Sequence, residues 1–364
     1  MHTPLAFKTL LASGVVALSL GLGLSSCNGS GGGGGSDTTE NTLLGAGSSF
    51  VYPLFSKQFA VYHDSTQMKV DYQANGSGGG ISALIAKTVD FADSDAPLND
   101  DQASKMGAPA LHIPMCSGAV ALSYNLPDLK DTLKLTPGVL ADLFLGKITK
   151  WNDKAIAAVN PGVKLPDLPV VISHRTDGSG TTNIFTSYLS LVSPEWQTKV
   201  GKGGSVNWPT GLGGKGNPGV AGNIKQTPGA IGYIELAYAI GNNMAYAKIQ
   251  NKGGNYIVPS VASTKAAGNI NIPADGKVWL VNTDAADGYP IAGFTWAIIY
   301  KEQNYNSRSL DKATKLVKLL WWNIHDGQQY CEALNYAPLP ANAVTVAENI
   351  LKSATYDGKP ILQQ

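Results

Sequence analysis

The feature that most constrains this chain is a pattern that occurs three times. Each copy is a short apolar strand, a turn of glycine and hydroxyl residues, and the start of an apolar helix. The copies lie at residues 43–59, 68–85 and 168–189. Strands that alternate with helices favour an α/β fold, in which ligands bind at the carboxyl ends of the strands. We therefore expect the three turns to converge on one ligand at that edge.

The third turn, residues 174–183, reads His-Arg-Thr-Asp-Gly-Ser-Gly-Thr-Thr-Asn. The first N–H groups of the following helix have no partner of their own and carry partial positive charge, so they can hold an anion. The hydroxyl residues that can cap this helix are Ser179, Thr181 and Thr182. Arg175 adds a bidentate donor, whereas Asp177 repels an anion unless it is paired or the anion carries a proton. Taken alone, the segment is equally consistent with a capped surface turn.

The other two turns precede helices that begin near Phe50 and Ile81, and we expect Ser48 or Ser49 to cap the first of them. A short strand at residues 89–92 then ends at Asp93-Ser94-Asp95. Glycine-rich turns are common and mostly structural. Three of them with hydroxyls at the helix start indicate an anion site.

Several other site types are disfavoured. A formal net charge of +1 argues against nucleic-acid binding, which needs a basic surface. The Gly-Lys-Gly run at residues 214–216 lacks the serine or threonine of a phosphate-binding loop, and Ser77 and Ser179 lack the glycine two residues before a hydrolase nucleophile. The five histidines are scattered, so we expect no metal and no cofactor.

The N-terminus has the pattern of an export signal. Lys8 is followed by an apolar run at residues 10–24 and then by Leu-Ser-Ser-Cys ending at Cys27, which resembles the bacterial lipobox. This predicts a signal peptide at residues 1–26, lipidation of Cys27 (palmitate included) and a flexible tether at residues 27–41. An ordinary signal with an incidental cysteine is the alternative. Cys116 and Cys331 form a disulfide or remain two buried thiols, with equal weight.

Longer stretches around the three turns are similar to the periplasmic phosphate-binding proteins of bacterial high-affinity phosphate ABC transporters. The matching stretches run in the same order from Leu44 to near the C-terminus, at residues 45–50, 72–79, 89–98, 145–148, 175–181, 208–217 and 228–233. The resemblance implies an α/β protein of the two-domain Venus-flytrap type, with the ligand in a cleft between the domains. Domain I would comprise residues 42–116 plus 292–364, and domain II, inserted in it, residues 117–291.

The resemblance also implies the site residues. The phosphate-binding residues carried over are Ser49, Phe50, Ser77, Asp95, Arg175, Asp177, Ser179, Gly180 and Thr181, with Phe50 and Gly180 acting through their backbone N–H groups. Two positions depart from the family pattern: Ser49 replaces a threonine, and Gly78 replaces the second serine of the second turn. The hydroxyl is kept at the first position, and we expect the second change to be neutral.

The two carboxylates have separate explanations. Phosphate near neutral pH carries at least one proton and sulfate carries none, so a buried Asp95 accepts a hydrogen bond from phosphate and repels sulfate. Asp177 is expected to pair with Arg175, in preference to a direct contact with phosphate.

These features predict a monomeric, non-enzymatic binding protein of the periplasm or cell envelope. Its partners would be inorganic phosphate, the permease subunits of an ABC importer and, through Cys27, the membrane. An exported phosphate-sequestering protein or a phosphate-ester hydrolase of similar fold is the alternative. A binder of sulfate or molybdate is disfavoured by Asp95.

Overall fold

The computed structural model describes residues 41–362. The predicted signal peptide, the lipidation site Cys27 and all but the last residue of the predicted tether lie outside the described residues. In the part that is described, no helix is both long enough and apolar enough to cross a membrane.

The described chain is an α/β protein, as the sequence predicts. Its strands are β1 (Thr42–Gly47), β2 (Lys69–Gln73), β3 (Phe91–Ser94), β4 (Ala110–Tyr124), β5 (Lys134–Leu135), β6 (Val171–Arg175), β7 (Leu212–Gly214), β8 (Ala230–Glu235), β9 (Ala245–Tyr246), β10 (Lys248–Gln250), β11 (Tyr256–Ile257), β12 (Ala292–Tyr300), β13 (Thr355–Tyr356) and β14 (Lys359–Pro360). Its helices are α1 (Tyr52–Thr66), α2 (Ser77–Ile85), α3 (Asp100–Met106), α4 (Pro137–Phe144), α5 (Lys154–Val159), α6 (Gly180–Val192), α7 (Pro194–Lys199), α8 (Gly216–Gln226), α9 (Leu236–Gly241), α10 (Val261–Gly268), α11 (Leu310–Ile324) and α12 (Ala341–Lys352).

One large sheet organises the chain, in the order β2-β1-β3-β12-β4-β8-β6-β7, with β9 also paired to β4. β1 is parallel to β2 and β3, and β6 is parallel to β7 and β8. β12 runs antiparallel to β3 and β4, and β4 antiparallel to β8. The sheet therefore contains two parallel groups joined by antiparallel central strands.

The long strand β4 belongs to both groups. Its residues from Ala110 to Ala119 pair with β12, and those from Val120 to Tyr124 pair with β8. The predicted boundary between residues 116 and 117 lies within this strand, and the second predicted boundary, between residues 291 and 292, coincides with the start of β12. The division into two domains itself stays a prediction.

Hydroxyl caps were predicted for two helices at the site, and the structure has a hydroxyl cap on only one of them. Of the three candidates for the cap of α6, Ser179 is the one that accepts a hydrogen bond from the N–H of Thr182. Neither Ser48 nor Ser49 caps α1, which begins at Tyr52 with Val51 at the cap position and no side-chain cap. That prediction was wrong because both hydroxyls have tertiary partners instead: Ser48 Oγ donates to Asp95 and Ser49 Oγ accepts from Asn217.

Cys116 and Cys331 are buried free thiols, so the structure has the second of the two alternatives considered for them.

A buried ion pair joins Asp90, directly before β3, to Arg308, directly before the cap of α11. Arg308 donates to Asp90 Oδ1 at 2.5 Å, and the N–H of Leu44 on β1 donates to Asp90 Oδ2 at 2.7 Å. The side chains of Asp90 and Arg308 are 7% and 6% exposed. Because removing one partner of a buried pair leaves the other charge uncompensated, this pair ties β1, β3 and the start of α11 together.

We predict that Asp90→Asn lowers the free energy of unfolding by about 3–5 kcal/mol, because the guanidinium of Arg308 would stay buried without its counter-charge. Urea denaturation followed by circular dichroism measures the change. Asp167→Asn is the matched control, since Asp167 pairs with Lys150 at the surface and both side chains are at least 60% exposed. Equal effects of the two substitutions would contradict the structural role of the Asp90–Arg308 pair.

Candidate functional site

The three glycine and hydroxyl turns meet at the carboxyl ends of β1, β2, β3 and β6. The first two turns are joined by the N–H of Gly76, which donates to the carbonyl of Gly47 at 2.8 Å. The third turn reaches the second through the N–H of Gly78, which donates to the carbonyl of Gly178 at 2.9 Å. The convergence predicted from the repeated pattern is therefore present in the structure.

Glycine is required where these turns touch. A Cβ on Gly180 would lie 2.6 Å from the backbone N of Asp95, and one on Gly76 would lie 2.2 Å from Asp177 Oδ2. Gly78, which replaces the family's second serine, is also close-packed, since a Cβ there would lie 3.1 Å from the Cα of Gly178. The small residues of the pattern thus permit the approach of the third turn to the other two.

Arg175 and Asp177 form a bidentate ion pair, as the sequence predicts. Arg175 Nε donates to Asp177 Oδ1 at 2.7 Å and Nη2 donates to Oδ2 at 2.5 Å, and the side chain of Arg175 is 1% exposed. The N–H of Gly216 also donates to Asp177 Oδ1. Although partial burial acts in the opposite direction, the bonds from Arg175 lower the pKa of Asp177 below its usual value. Asp177 is therefore an anion that fixes the plane of the guanidinium.

Three buried hydroxyl groups at the site each accept hydrogen bonds from two N–H donors. Ser77 Oγ accepts from the backbone N–H groups of Gly180, at 3.1 Å, and Asp95, at 3.4 Å. Ser49 Oγ accepts from the backbone N and from Nδ2 of Asn217, both at 3.0 Å. Thr181 Oγ1 accepts from Asn217 Nδ2 at 3.2 Å and from Arg175 Nη1 at 3.4 Å. Because a hydroxyl oxygen has two lone pairs and one proton, all three are left as donors.

Asp95 is the carboxylate among these donors, and it is 1% exposed. Ser48 Oγ donates to Asp95 Oδ2 at 2.7 Å, and Thr295 Oγ1 lies 2.8 Å from Oδ1. Burial raises the pKa of Asp95 to about 6, while the hydrogen bonds of Ser48 and Thr295, the charge of Arg175 and a hydrogen bond from Thr181 keep it from rising further. Near neutral pH Asp95 is thus mainly ionised and accepts hydrogen bonds.

Asn217 is a site residue that the sequence did not reveal. It is the second residue of α8 and fully buried, and besides its bonds to Ser49 and Thr181 its Oδ1 accepts from the N–H of Glu235. The residue lies in the stretch 208–217, which matched the family pattern, but no chemical feature of that stretch distinguished the asparagine. Its position after Gly216, at a helix start beside β7, is the signal that was available.

The remaining residues predicted for the site have partners of their own. The N–H of Phe50 donates to Ser48 Oγ at 2.9 Å, and the N–H of Gly180 donates to Ser77 Oγ. Ser179 caps α6 with its hydroxyl oxygen, and its own N–H donates to the carbonyl of Gly204. All nine predicted residues lie in or directly beside the same hydrogen-bonded cluster, and Asn217, Ser48 and Thr295 extend it.

Within residues 41–362, no group of three or more His, Cys, Asp or Glu side chains is placed to hold a metal ion. The cluster presents hydroxyl, amide and guanidinium donors around the carboxylate of Asp95, and the second carboxylate, that of Asp177, is paired with Arg175.

The chain is similar to known phosphate-binding proteins over most of its length. The sequence model of the PBP superfamily domain matches residues 32–318. The phosphate-binding protein PstS of Xylella fastidiosa is 43% identical over 308 residues, covering 84% of this chain and 83% of the relative. That of Pasteurella multocida is 40% identical over 334 residues, covering 90% and 95% of the two chains.

A solved structure shows the same fold. The phosphate-bound structure of PfluDING, a high-affinity periplasmic phosphate-binding protein, aligns with a TM-score of 0.67 and 21% sequence identity, covering 84% of this chain and 93% of that one. The expected binding-protein fold is confirmed by this likeness, and the sequence identities above show that the chain belongs to the PstS family of phosphate-binding proteins.

Proposed function

We propose that this protein binds inorganic phosphate at the cluster described above and delivers it to an ABC-type phosphate importer. The observation that carries the proposal is the hydrogen-bond polarity of the cluster: three hydroxyl groups are left as donors beside a buried arginine, with a buried carboxylate as the acceptor. A partly protonated oxyanion matches that set, because its unprotonated oxygens accept and its proton donates.

Each predicted residue has a role in this proposal. Ser49, Ser77 and Thr181 donate through their hydroxyls, and Arg175 contributes positive charge held in place by Asp177. Phe50, Ser179 and Gly180 would contribute N–H or hydroxyl groups after exchanging their present partners for the anion. The nine residues are thus Ser49, Phe50, Ser77, Asp95, Arg175, Asp177, Ser179, Gly180 and Thr181.

Asp95 supplies the selectivity for phosphate. A phosphate that keeps a proton near neutral pH donates it to Asp95 Oδ2. Sulfate has no proton to donate, so its oxygen lone pairs and negative charge would face those of the buried Asp95 carboxylate. Leaving such groups unsatisfied costs about 1–3 kcal/mol, and more when they are charged. Discrimination therefore rests on an unfavourable contact with the wrong anion.

The wider setting follows from the sequence features. Residues 42–116 with 292–364 would form one domain and residues 117–291 the other, closing over phosphate. Export and lipidation at Cys27 would hold a monomer at the cell envelope, where the permease subunits of the importer would receive the ligand.

The hydrogen bonds accepted by the three hydroxyl groups favour binding of phosphate over hydrolysis of a phosphate ester. Ser49, Ser77 and Thr181 each have their lone pairs occupied by N–H groups, which disfavours nucleophilic attack. The hydrolase alternative is therefore not favoured, and measurable phosphomonoesterase activity would revive it.

The proposal predicts that isothermal titration calorimetry near neutral pH detects tight binding of phosphate and not of sulfate. In Asp95→Asn the ratio of the two affinities should fall at least tenfold, because an amide can donate to sulfate where the carboxylate repels it. Asp71→Asn, on the exposed face of β2, is the control and should leave the ratio unchanged. Equal affinities in the unmodified protein would contradict the proposal.

A second prediction concerns Asn217. Asn217→Ala should weaken phosphate binding about tenfold or more, because the hydroxyls of Ser49 and Thr181 lose the donors that direct their protons toward the ligand. The phosphate-to-sulfate ratio should stay high, since Asp95 is untouched. Asn223→Ala, which removes amide hydrogen bonds from the same helix α8, is the matched control.

The effect of Asn217→Ala should be smaller in a Ser49→Ala background, because the part that acts through the Ser49 hydroxyl is already lost and only the part that acts through Thr181 remains. Additive effects of the two substitutions would show that Asn217 acts in some other way.

A further inference from the structure

A second buried carboxyl group, that of Asp93, lies behind Asp95. Asp93 is in β3 and Asp95 directly follows that strand, and both side chains reach the same residue, Thr295. Both are buried, with Asp93 fully inaccessible. Neither the sequence pattern nor the proposed phosphate site assigns a role to Asp93.

Thr295 on β12 bridges the two carboxyl groups. Its Oγ1 lies 2.6 Å from Asp93 Oδ1 and 2.8 Å from Asp95 Oδ1. The pairing of β12 with β4 shifts register between Thr295 and Trp296, and such irregularities next to binding sites commonly re-aim a side chain. Thr295 is itself fully buried, so no bulk water competes for these contacts.

The number of protons available determines the protonation state of Asp93, Thr295 and Asp95. The hydroxyl of Thr295 has one proton, and sharing it between two carboxylates would make both hydrogen bonds bent and weak, which does not suit two contacts this short. The other short contact is a hydrogen bond only if that carboxyl group is itself protonated and donates to Thr295. One of the two aspartates therefore carries a proton when both contacts are made.

The surroundings select Asp93 as the protonated one. Asp95 also accepts from Ser48 and is stabilised by the charge of Arg175, whereas Asp93 Oδ2 has no hydrogen-bond partner among the described residues. The titratable groups that act on Asp93 within the described chain are Asp95, Tyr72 on β2 and Cys116 on β4, and none of them can offer it positive charge. Burial and the charge of Asp95 raise the pKa of Asp93 well above its usual value.

We infer that Asp93 is a neutral carboxylic acid that donates a hydrogen bond to Thr295, so that Thr295 donates its own proton to Asp95. Asp93 is in this sense a positioning residue, which acts on the ligand through Thr295 and Asp95. The order of donation is Asp93 Oδ1–H to Thr295 Oγ1, and Thr295 Oγ1–H to Asp95 Oδ1.

The consequence for binding rests on the proposed function. With Oδ1 of Asp95 held by Thr295, Asp95 is kept as an acceptor whose Oδ2 faces the donors of the cleft. Ionisation of Asp93 at alkaline pH would compete for the proton of Thr295 and add a second negative charge behind the bound anion. Phosphate affinity should then fall with rising pH because a group of the protein, Asp93, ionises.

The proton on Asp93 can be observed without any ligand. We expect the ¹³Cγ NMR spectrum of aspartate-labelled protein, at a pH slightly above neutral, to contain a carboxyl signal with the shift of a protonated acid. That signal should be absent in Asp93→Asn and present in Asp95→Asn. A spectrum with every Asp Cγ ionised, or loss of the protonated signal in Asp95→Asn instead, would overturn the inference whether or not the protein binds phosphate.

Phosphate titration of three variants tests the consequence. Asp93→Asn keeps a neutral donor to Thr295, so its affinity near neutral pH should stay within about threefold of the unmodified protein and decline less at alkaline pH. If Asp93 were ionised, this substitution would remove a buried charge and tighten binding by more than about tenfold. Such tightening would overturn the inference.

Thr295→Val should weaken phosphate binding about tenfold, because Asp95 loses the donor to Oδ1. Thr264→Val is the matched control, since Thr264 is also buried and donates to a backbone carbonyl at the start of α10. Unchanged affinity in Thr295→Val would contradict the chain of donation. Lack of phosphate binding by the unmodified protein would count against the proposed function and would leave the NMR result to decide the position of the proton.

Discussion

The site depends on which atoms donate and which accept. Amide and guanidinium N–H groups occupy the lone pairs of Ser49, Ser77 and Thr181, so each hydroxyl can only donate into the cleft. The hydroxyl groups are thus oriented before a ligand binds, so binding does not cost the free energy of reorienting them. Asp95 is the carboxylate left to accept from a ligand, because Asp177 is paired with Arg175, and this imbalance makes the site fit for an anion that keeps a proton.

The fold supplies that arrangement through its parallel strands. β1, β2 and β3 bring the first two turns and Asp95 to one edge, and β6 and β7 bring the third turn and Asn217 to the same place. Glycines at the points of contact let backbone groups approach to hydrogen-bonding distance, as between Gly78 and Gly178. β4 runs through both strand groups and so fixes them to a common frame. The Asp90–Arg308 pair holds the other end of β3, away from the cleft.

Much of this was open to prediction from the sequence because the relevant signals are local. Strand, turn and helix periodicity located the three turns, and a carboxylate two residues from an arginine indicated the Arg175–Asp177 pair. The cap of α1 was predicted wrongly, because Ser48 and Ser49 form tertiary bonds that outweigh the local preference for a hydroxyl cap. Asn217 and Thr295 could not be identified, since their roles depend on partners more than 150 residues away, such as Ser49 and Asp95. In the sequence, nothing distinguishes Asp93 from other polar residues at strand ends. Its proposed role is recognised only from the Thr295 hydroxyl that it shares with Asp95.

Neutron diffraction from crystals of the phosphate complex, exchanged into D₂O, tests the central claim most directly because it locates the deuterons. The account predicts that the hydroxyl deuterons of Ser49, Ser77 and Thr181 point at phosphate oxygens, and that one deuteron lies between a phosphate oxygen and Asp95 Oδ2. Hydroxyl deuterons directed away from phosphate, or an Asp95 that makes no contact with a phosphate deuteron, would contradict it.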